Sequence, residues 1–365
     1  MWKPLWLPLV AAAVVCAPGH GAAQQGASSG YPSRTIQFGA PILTTLGLQG
    51  TVMSGFTACS DDGAAFVLMI DNLSTAEMAV HSLEPDGKNI SYHALQLLGY
   101  RDITTARRFF ASDRYVATLV DARRSPDLTG RSDTTVQSDA AFVSLVLIYD
   151  RDGEFKRAVP IPSDVDALAI GVFDSGDVLL VSMEATTKAA RLTVLSESGE
   201  SLHSFPLFDN DFNTTPDAAA KQPLVRTLPG GGLELVQVVR QNGNLVIVPA
   251  GTTQPMVEVS ESGVVRTYDA HLPLGLALQS LLNTDGTTWY VKTYGSIRQN
   301  PQGGQSMPEG PLFGMNPFDG SIVVKLNPPV RGTPRVVCEH AGAFLGLTTQ
   351  RETGRLEVEN GSIPH

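Results

Sequence analysis

Short apolar runs recur along the chain, each entered through a tight turn. AAFVLMI follows Asp61-Asp62-Gly63, RYVATLV follows Ser112-Asp113, DVLLVSM follows Asp174-Ser175-Gly176 and NLVIVPA follows Gln241-Asn242-Gly243. TTWYVKT and AFLGLTT continue the series behind Thr284-Asp285-Gly286 and Ala341-Gly342. Runs of this length, rich in β-branched and aromatic residues and bounded by Asp-Gly, Asn-Gly or Ser-Gly, predict strands joined by hairpins. The series has six members.

A second series interleaves with it: Asp86-Gly87, Asp152-Gly153, Ser198-Gly199, Ser262-Gly263, Asp319-Gly320 and Asn360-Gly361. Each follows an apolar run such as LVLIYD or MVEVSE. Turns of the two series mostly stand about 22 residues apart, room for two strands and a connection. Four antiparallel strands, A to D, with short A–B and C–D turns make one propeller blade, and six blades make a ring. The predicted fold class is therefore all-β, a six-bladed β-propeller over residues 34–365, behind a signal segment at 1–23 and a linker at 24–33. The sixth unit offers three strands before the sequence ends. Residues 34–41 have strand character and are expected to supply its fourth, removing an open edge. Around 223–250 an alternative stays open: apolar runs at 233–239 and 245–248, with Gly231-Gly232 as a competing turn, leave space for a seventh unit.

The patterns FDSGD and YDRDGE, followed by strand residues, resemble the turns of secreted six-bladed propellers of the NHL-repeat type. The resemblance spans residues 34–361. It implies the architecture and no particular activity, because propellers host binding modules, lactonases, lyases and cofactor enzymes alike.

Three spacings are long. The B–C connections of blades two and five carry insertions around 123–140 and 296–311, and the connection from blade three to blade four carries one around 208–222. B–C and D–A connections lie on one face of an up-and-down ring, so all three decorate the same face. Long loops on a rigid scaffold commonly carry function. Arg101, Asp102, Asp164 and Asp166 stand where inner strands are expected to start, near the central opening of that face, and are the candidate ligand-binding residues.

Composition fits many short strands and turns: 35 glycines, 24 prolines and 17% charged residues. The formal net charge is −10 with no run of Lys and Arg, which leaves no footprint for nucleic acid or for an anionic membrane surface. Residues 1–23 hold one charge, Lys3, an apolar stretch and small residues before Gln24, the signature of a cleaved secretory signal. The mature chain is then expected in the periplasm or outside the cell, with no membrane insertion. Cys59 and Cys338 each stand four residues before the turn glycine of blades one and six. Ring closure makes those strands neighbours, so an oxidising compartment favours a disulfide between them; two buried thiols are the alternative.

Chemical motifs are scarce. HExxH, GxSxG, Walker and CxxC patterns are absent, and the histidines are scattered. Asp209 to Asn213 begins like a calcium loop but has Thr214 where an EF-hand needs glycine and Ala220 where it needs glutamate. No catalytic residue, metal ligand or cofactor is assigned. One-sided insertions without catalytic motifs favour a binding or scaffold module that engages a protein or glycan partner through the loop-rich face. The alternative is an enzyme, hydrolase or lactonase-like, acting on a small carbohydrate, lactone or ester, with or without a metal.

Overall fold

Among the described residues, hydrogen bonding sorts the strands into six blade sheets, each built on four antiparallel strands, with a short fifth strand added in parallel to the sheet of blade five and two small two-stranded ribbons beside them. The computed structural model describes residues 30–47, 51–72, 77–83, 89–93, 100–124, 142–183, 190–207, 226–227, 233–234, 237–249, 255–295, 298–299, 305–306, 308–327, 334–350 and 355–364. The signal segment, the turn Asp86-Gly87, the calcium-like segment and the insertions of blade two and of the blade three–four connection lie outside the described residues.

Blade one pairs Thr51–Cys59, Ala65–Asn72, Glu77–Leu83 and Asn89–His93. Blade two pairs Tyr100–Ala111, Tyr115–Arg124, Phe142–Asp150 and Phe155–Pro160, and blade three Ala167–Val172, Val178–Met183, Ala190–Leu195 and Ser201–Pro206. Blade four pairs Gln237–Gln241, Asn244–Val248, Met256–Ser260 and Gly263–Tyr268. Asn242-Gly243 is thus its A–B turn, and residues 233–234 belong instead to a small ribbon with 226–227, so there is no seventh blade among the described residues. Blade five pairs Ala277–Leu281, Trp289–Tyr294, Leu312–Met315 and Ile322–Leu326.

Blade six pairs Arg335–His340, Ala343–Gln350 and Arg355–Ser362, and its outer strand is Gln37–Gly47 from the N-terminal end. The closure falls slightly later than residues 34–41: Ser33–Arg34 pairs in parallel with Ile322–Leu326 of blade five before the chain crosses to blade six. The N-terminal segment therefore ties two blades. Asn360-Gly361 is correspondingly not a C–D turn but the end of a strand, opposite Phe344 and Phe38. A fourth strand supplied from the N-terminal end needs no hairpin there. A Cβ on Gly361 would sit 2.9 Å from the Phe38 ring, and one on Gly346 would sit 2.7 Å from it, so both glycines vacate the slot Phe38 fills.

The burial gradient follows position in the blade. Inner strands such as Ala167–Val172 are buried at every residue, while the outer strand Ser201–Pro206 is mostly exposed. Period-two alternation fails in the inner strands because a neighbouring blade covers each face. Five apolar clusters bridge the blades in order: one holds Phe66 with Val116 and Leu145; one Ile148, Leu180 and Ile247; one Val246 and Trp289; one Leu312 and Phe344; and one Val358 and Val67. Each fully buried side chain of this size contributes about 1.5–3 kcal/mol over exposure.

Turn chemistry repeats with the blades. At 60–64, 150–154, 173–177 and 196–200 the first residue's N–H donates to the fifth residue's carbonyl, and the fourth residue, a glycine, donates back to the first. Blades four and six use two-residue hairpins instead, with positive φ at both Asn242 (49°) and Gly243 (84°), and at both Ala341 (50°) and Gly342 (85°).

Candidate functional site

The ring has two faces of different chemistry. The A–B turns meet around the axis on the turn face, where Arg240 is the hub. Its Nε and Nη2 donate to the two carboxylate oxygens of Asp174 at 2.7 and 2.9 Å, and its Nη1 reaches Asp61 and, at 3.3 Å, Asp113. The Thr284 hydroxyl donates to the Arg240 carbonyl at 2.7 Å, and the Asp113 N–H donates to Asp61 at 2.8 Å. One guanidinium from blade four thereby joins carboxylates of blades one, two and three. Its hydrogen bonds hold the Asp174 carboxyl below the usual carboxylate range, whereas burial, and then Asp61, push the Asp113 carboxyl up. With its fork committed to three carboxylates, Arg240 ties four blades together on this face and offers a ligand little.

Blade six continues the same face. Glu339 is buried, accepts the Gly342 N–H at 2.6 Å, and has its carboxyl pushed up to about 7 by burial, against the Gly342 bond and with Asp285 adding to the rise. His340 Nδ1 lies 3.4 Å from Asp285.

The opposite, insertion-bearing face holds the four residues singled out from sequence. Arg101 and Asp102 lie at the start of the inner strand of blade two, Arg101 in register with Arg123; their side chains are outside the description. Asp164 and Asp166 are exposed on the connection into blade three, where the Val165 N–H closes a turn on Pro162. Among the described residues no three His, Cys, Asp or Glu side chains converge as a metal site.

What this face does build is a cleft at the seam of blades five and six. The blade-five insertion extends its own B and C strands: Gly295 donates to Pro308 at 2.9 Å, Gly310 to Thr293 at 2.8 Å, and Arg298–Gln299 pairs with Gln305–Ser306. The extension carries Glu309 back over Lys292. Lys292 is only 5% exposed, and its Nζ donates to the Val336 carbonyl at 3.0 Å across the seam. Val336 stands at a register shift between the first two strands of blade six, where ladder pairing is interrupted. Glu309 Oε1 lies 3.7 Å from Lys292 Nζ and accepts Arg335 Nε at 3.0 Å. Burial pushes the Lys292 amine down to about 7, Arg335 adds to the fall, and Glu309 opposes it. Thr293, Gly310 and Leu312 complete the lining of about 250 Å³, solvent included, whose enclosed part has room for about one water molecule.

Sequence reading passed over both clusters. Asp61, Asp113 and Asp174 were legible only as turn formers, and Lys292 as one polar residue in the strand TTWYVKT. A charged residue inside an otherwise apolar inner run is the signal that points to it.

No family model matches the chain, and no curated protein matches it. Among solved structures it is similar to a neuraminidase-like protein of a flat-faced bat isolate from Peru, at 11% identity and a TM-score of 0.41, over 91% of this chain and 94% of that one. It is also similar to a xylan β-1,4-xylosidase from Bacillus halodurans, at 13% identity and a TM-score of 0.36 over 82% of this chain, and to a Trypanosoma rangeli sialidase, at 11% identity and a TM-score of 0.39 over 84%. The chain spans 61% of the xylosidase and 52% of the sialidase. Similarity at that level conveys nothing about chemistry.

Proposed function

We propose that the protein is an exported binding module whose insertion-bearing face engages a protein or glycan partner. One observation supports this above the rest: the blade-five insertion is built as a continuation of the blade. It stands on a bridge between Tyr294 and Glu309, flanked by the backbone bonds of Gly295 to Pro308 and Gly310 to Thr293, and ends in a second ribbon at 298–299 and 305–306. A neutral insertion has no need of such backbone pairing; a contact surface gains from it, because ordering it beforehand lowers the entropy lost on binding. The turn face, tied together by Arg240, lends no comparable surface. Export follows from the reading of residues 1–23 as a secretory signal. Among the described residues no helix is long and apolar enough to cross a membrane. The likeness of the turns to NHL-type propellers fits the same reading, since it is a likeness of scaffold.

The test is capture of partners from the producing cell's envelope and culture medium by the tagged mature protein. A companion variant has residues 296–307 replaced by a short Gly-Ser link. A partner retained by the parent and lost by the variant supports the reading. Equal retention by both overturns it.

A further inference from the structure

We propose that the seam of blades five and six is a carboxylate-binding site in which Lys292 and Arg335 receive the ligand's carboxylate and Glu309 is the internal group it displaces. This rests on the insertion-bearing face being the binding face and names the chemistry it selects. Two cations, one buried and one half-buried, converge on a single carboxylate oxygen. Glu309 has 41% of its side chain open, against 36% for Arg335 and 7% for Lys292, and it alone of the three is carried by an extension of the blade. It is therefore the member that can leave. Once it leaves, the Val336 carbonyl is the acceptor that remains to Lys292 among the described residues, and a buried ammonium demands an anion.

The site's size and donors select the anion. The enclosed space has room for about one water molecule, so the ligand's carboxylate takes the place the Glu309 carboxylate vacates and the remainder of the ligand stays at the surface. The nearby backbone donors Gly295 and Gly310 are already spent on Pro308 and Thr293, and the Thr293 hydroxyl on Pro311. A phosphate or sulfate, with three or more oxygens to satisfy, finds no cradle of N–H groups among the described residues. A carboxylate, with two oxygens, is matched by one ammonium and one guanidinium.

Binding should also take up a proton. Glu309 from the insertion and Arg335 from blade six are the charged groups that act on Lys292. Glu309 stands 3.7 Å from the amine, and a ligand carboxylate that replaces it at hydrogen-bond distance favours the charged form more strongly. Above neutral pH the ligand therefore draws a proton onto Lys292 as it binds.

The experiment is calorimetric titration of the mature protein at pH 8 with acetate and with glucuronate, in two buffers of different ionisation enthalpy, beside acetamide and the methyl ester of glucuronate as neutral controls. The expected result is binding of both acids with proton uptake, no binding of either neutral control, at least a tenfold loss in Lys292→Met and Arg335→Met, and a several-fold gain in Glu309→Gln. Tighter binding of glucuronate than of acetate assigns the ligand to acidic sugars. Equal binding assigns it to the carboxylate alone, as on a peptide. No binding of either acid, binding without proton uptake, or an unchanged affinity in Lys292→Met overturns the proposal. Capture of partners that depends on residues 296–307 would persist in that event, so the two readings fail separately.

Discussion

Arg240 grips Asp174 through two parallel hydrogen bonds of 2.7 and 2.9 Å, and this fork locks blade four to blade three at the axis. The same guanidinium answers Asp61 and Asp113, so removing it leaves three carboxylates facing one another. Arg240→Met is expected to cost about 2–3 kcal/mol, below the figure for a fully buried pair because the carboxylates are partly exposed. Arg240→Lys keeps the charge but loses the fork and should recover part of that. Urea midpoints at low and high salt measure both. A midpoint equal to the parent's in Arg240→Met would show that the hub contributes nothing.

Two groups set a pH profile with a dip. Glu339 has its folded pKa raised to about 7, above its unfolded value near 4.5. Its contribution is fully present below about pH 4.5 and is lost as pH rises through 7. Lys292 has its folded pKa lowered from 10.5 to about 7, so the fold favours the neutral amine, and stability rises as pH climbs from about 7 toward 10.5. The two slopes meet near neutrality, where these groups together stabilise least. Glu339→Gln should flatten the acid side. Lys292→Met should flatten the alkaline side and raise stability at pH 7 by about 2–4 kcal/mol. Thermal midpoints across pH 5–10 decide it; parallel profiles for parent and variants would be the contrary outcome.

Why the ring was legible and the sites were not comes down to range. Asp62-Gly63, Ser175-Gly176 and Asn242-Gly243 act on their own neighbours, so the sequence places the A–B turns and with them the blade count. Ambiguity at 233–239 arose because Leu233 and Val238 are both apolar, and only pairing separates the ribbon at 233–234 from the inner strand beginning at Gln237. Asn360-Gly361 looked like a hairpin because glycine there has a packing role, making room for Phe38, that local sequence does not distinguish from a turn. Arg240 with Asp61 and Lys292 with Arg335 are long-range pairings. Their convergence exists only once six sheets have closed on one another.

The two-residue hairpins of blades four and six differ in one residue, and that difference is testable. Asn242 takes φ 49° and Ala341 takes φ 50°, but asparagine tolerates the left-handed region and alanine does not. Ala341→Asn should therefore stabilise the protein by about 0.5–1 kcal/mol, and Asn242→Ala should destabilise it by a similar amount. Denaturant midpoints of the two variants check the pair. Equal midpoints for Ala341→Asn and the parent would mean that the turn tolerates alanine without strain.

The last prediction concerns the seam where the ring closes. Cys59 and Cys338 sit on the innermost strands of blades one and six, buried in the same apolar cluster, with their Cα atoms 5.3 Å apart and their sulfurs in contact. That Cα separation lies within the range a disulfide spans. The two residues are 279 positions apart, so a bond between them would bind the ends of the ring and close nearly the whole unfolded chain into one loop. By the loop-closure argument it is worth about 5–6 kcal/mol. Mature protein denatured without reductant should then show no free thiol, and reductant should lower its midpoint. The double variant Cys59→Ala, Cys338→Ala should start at the lowered midpoint and ignore reductant. Two titratable thiols per unreduced chain would instead mean that the cysteines pack as small apolar residues. In that case the closure of blade six rests on Gln37–Gly47 and the apolar seam around Val67 and Val358.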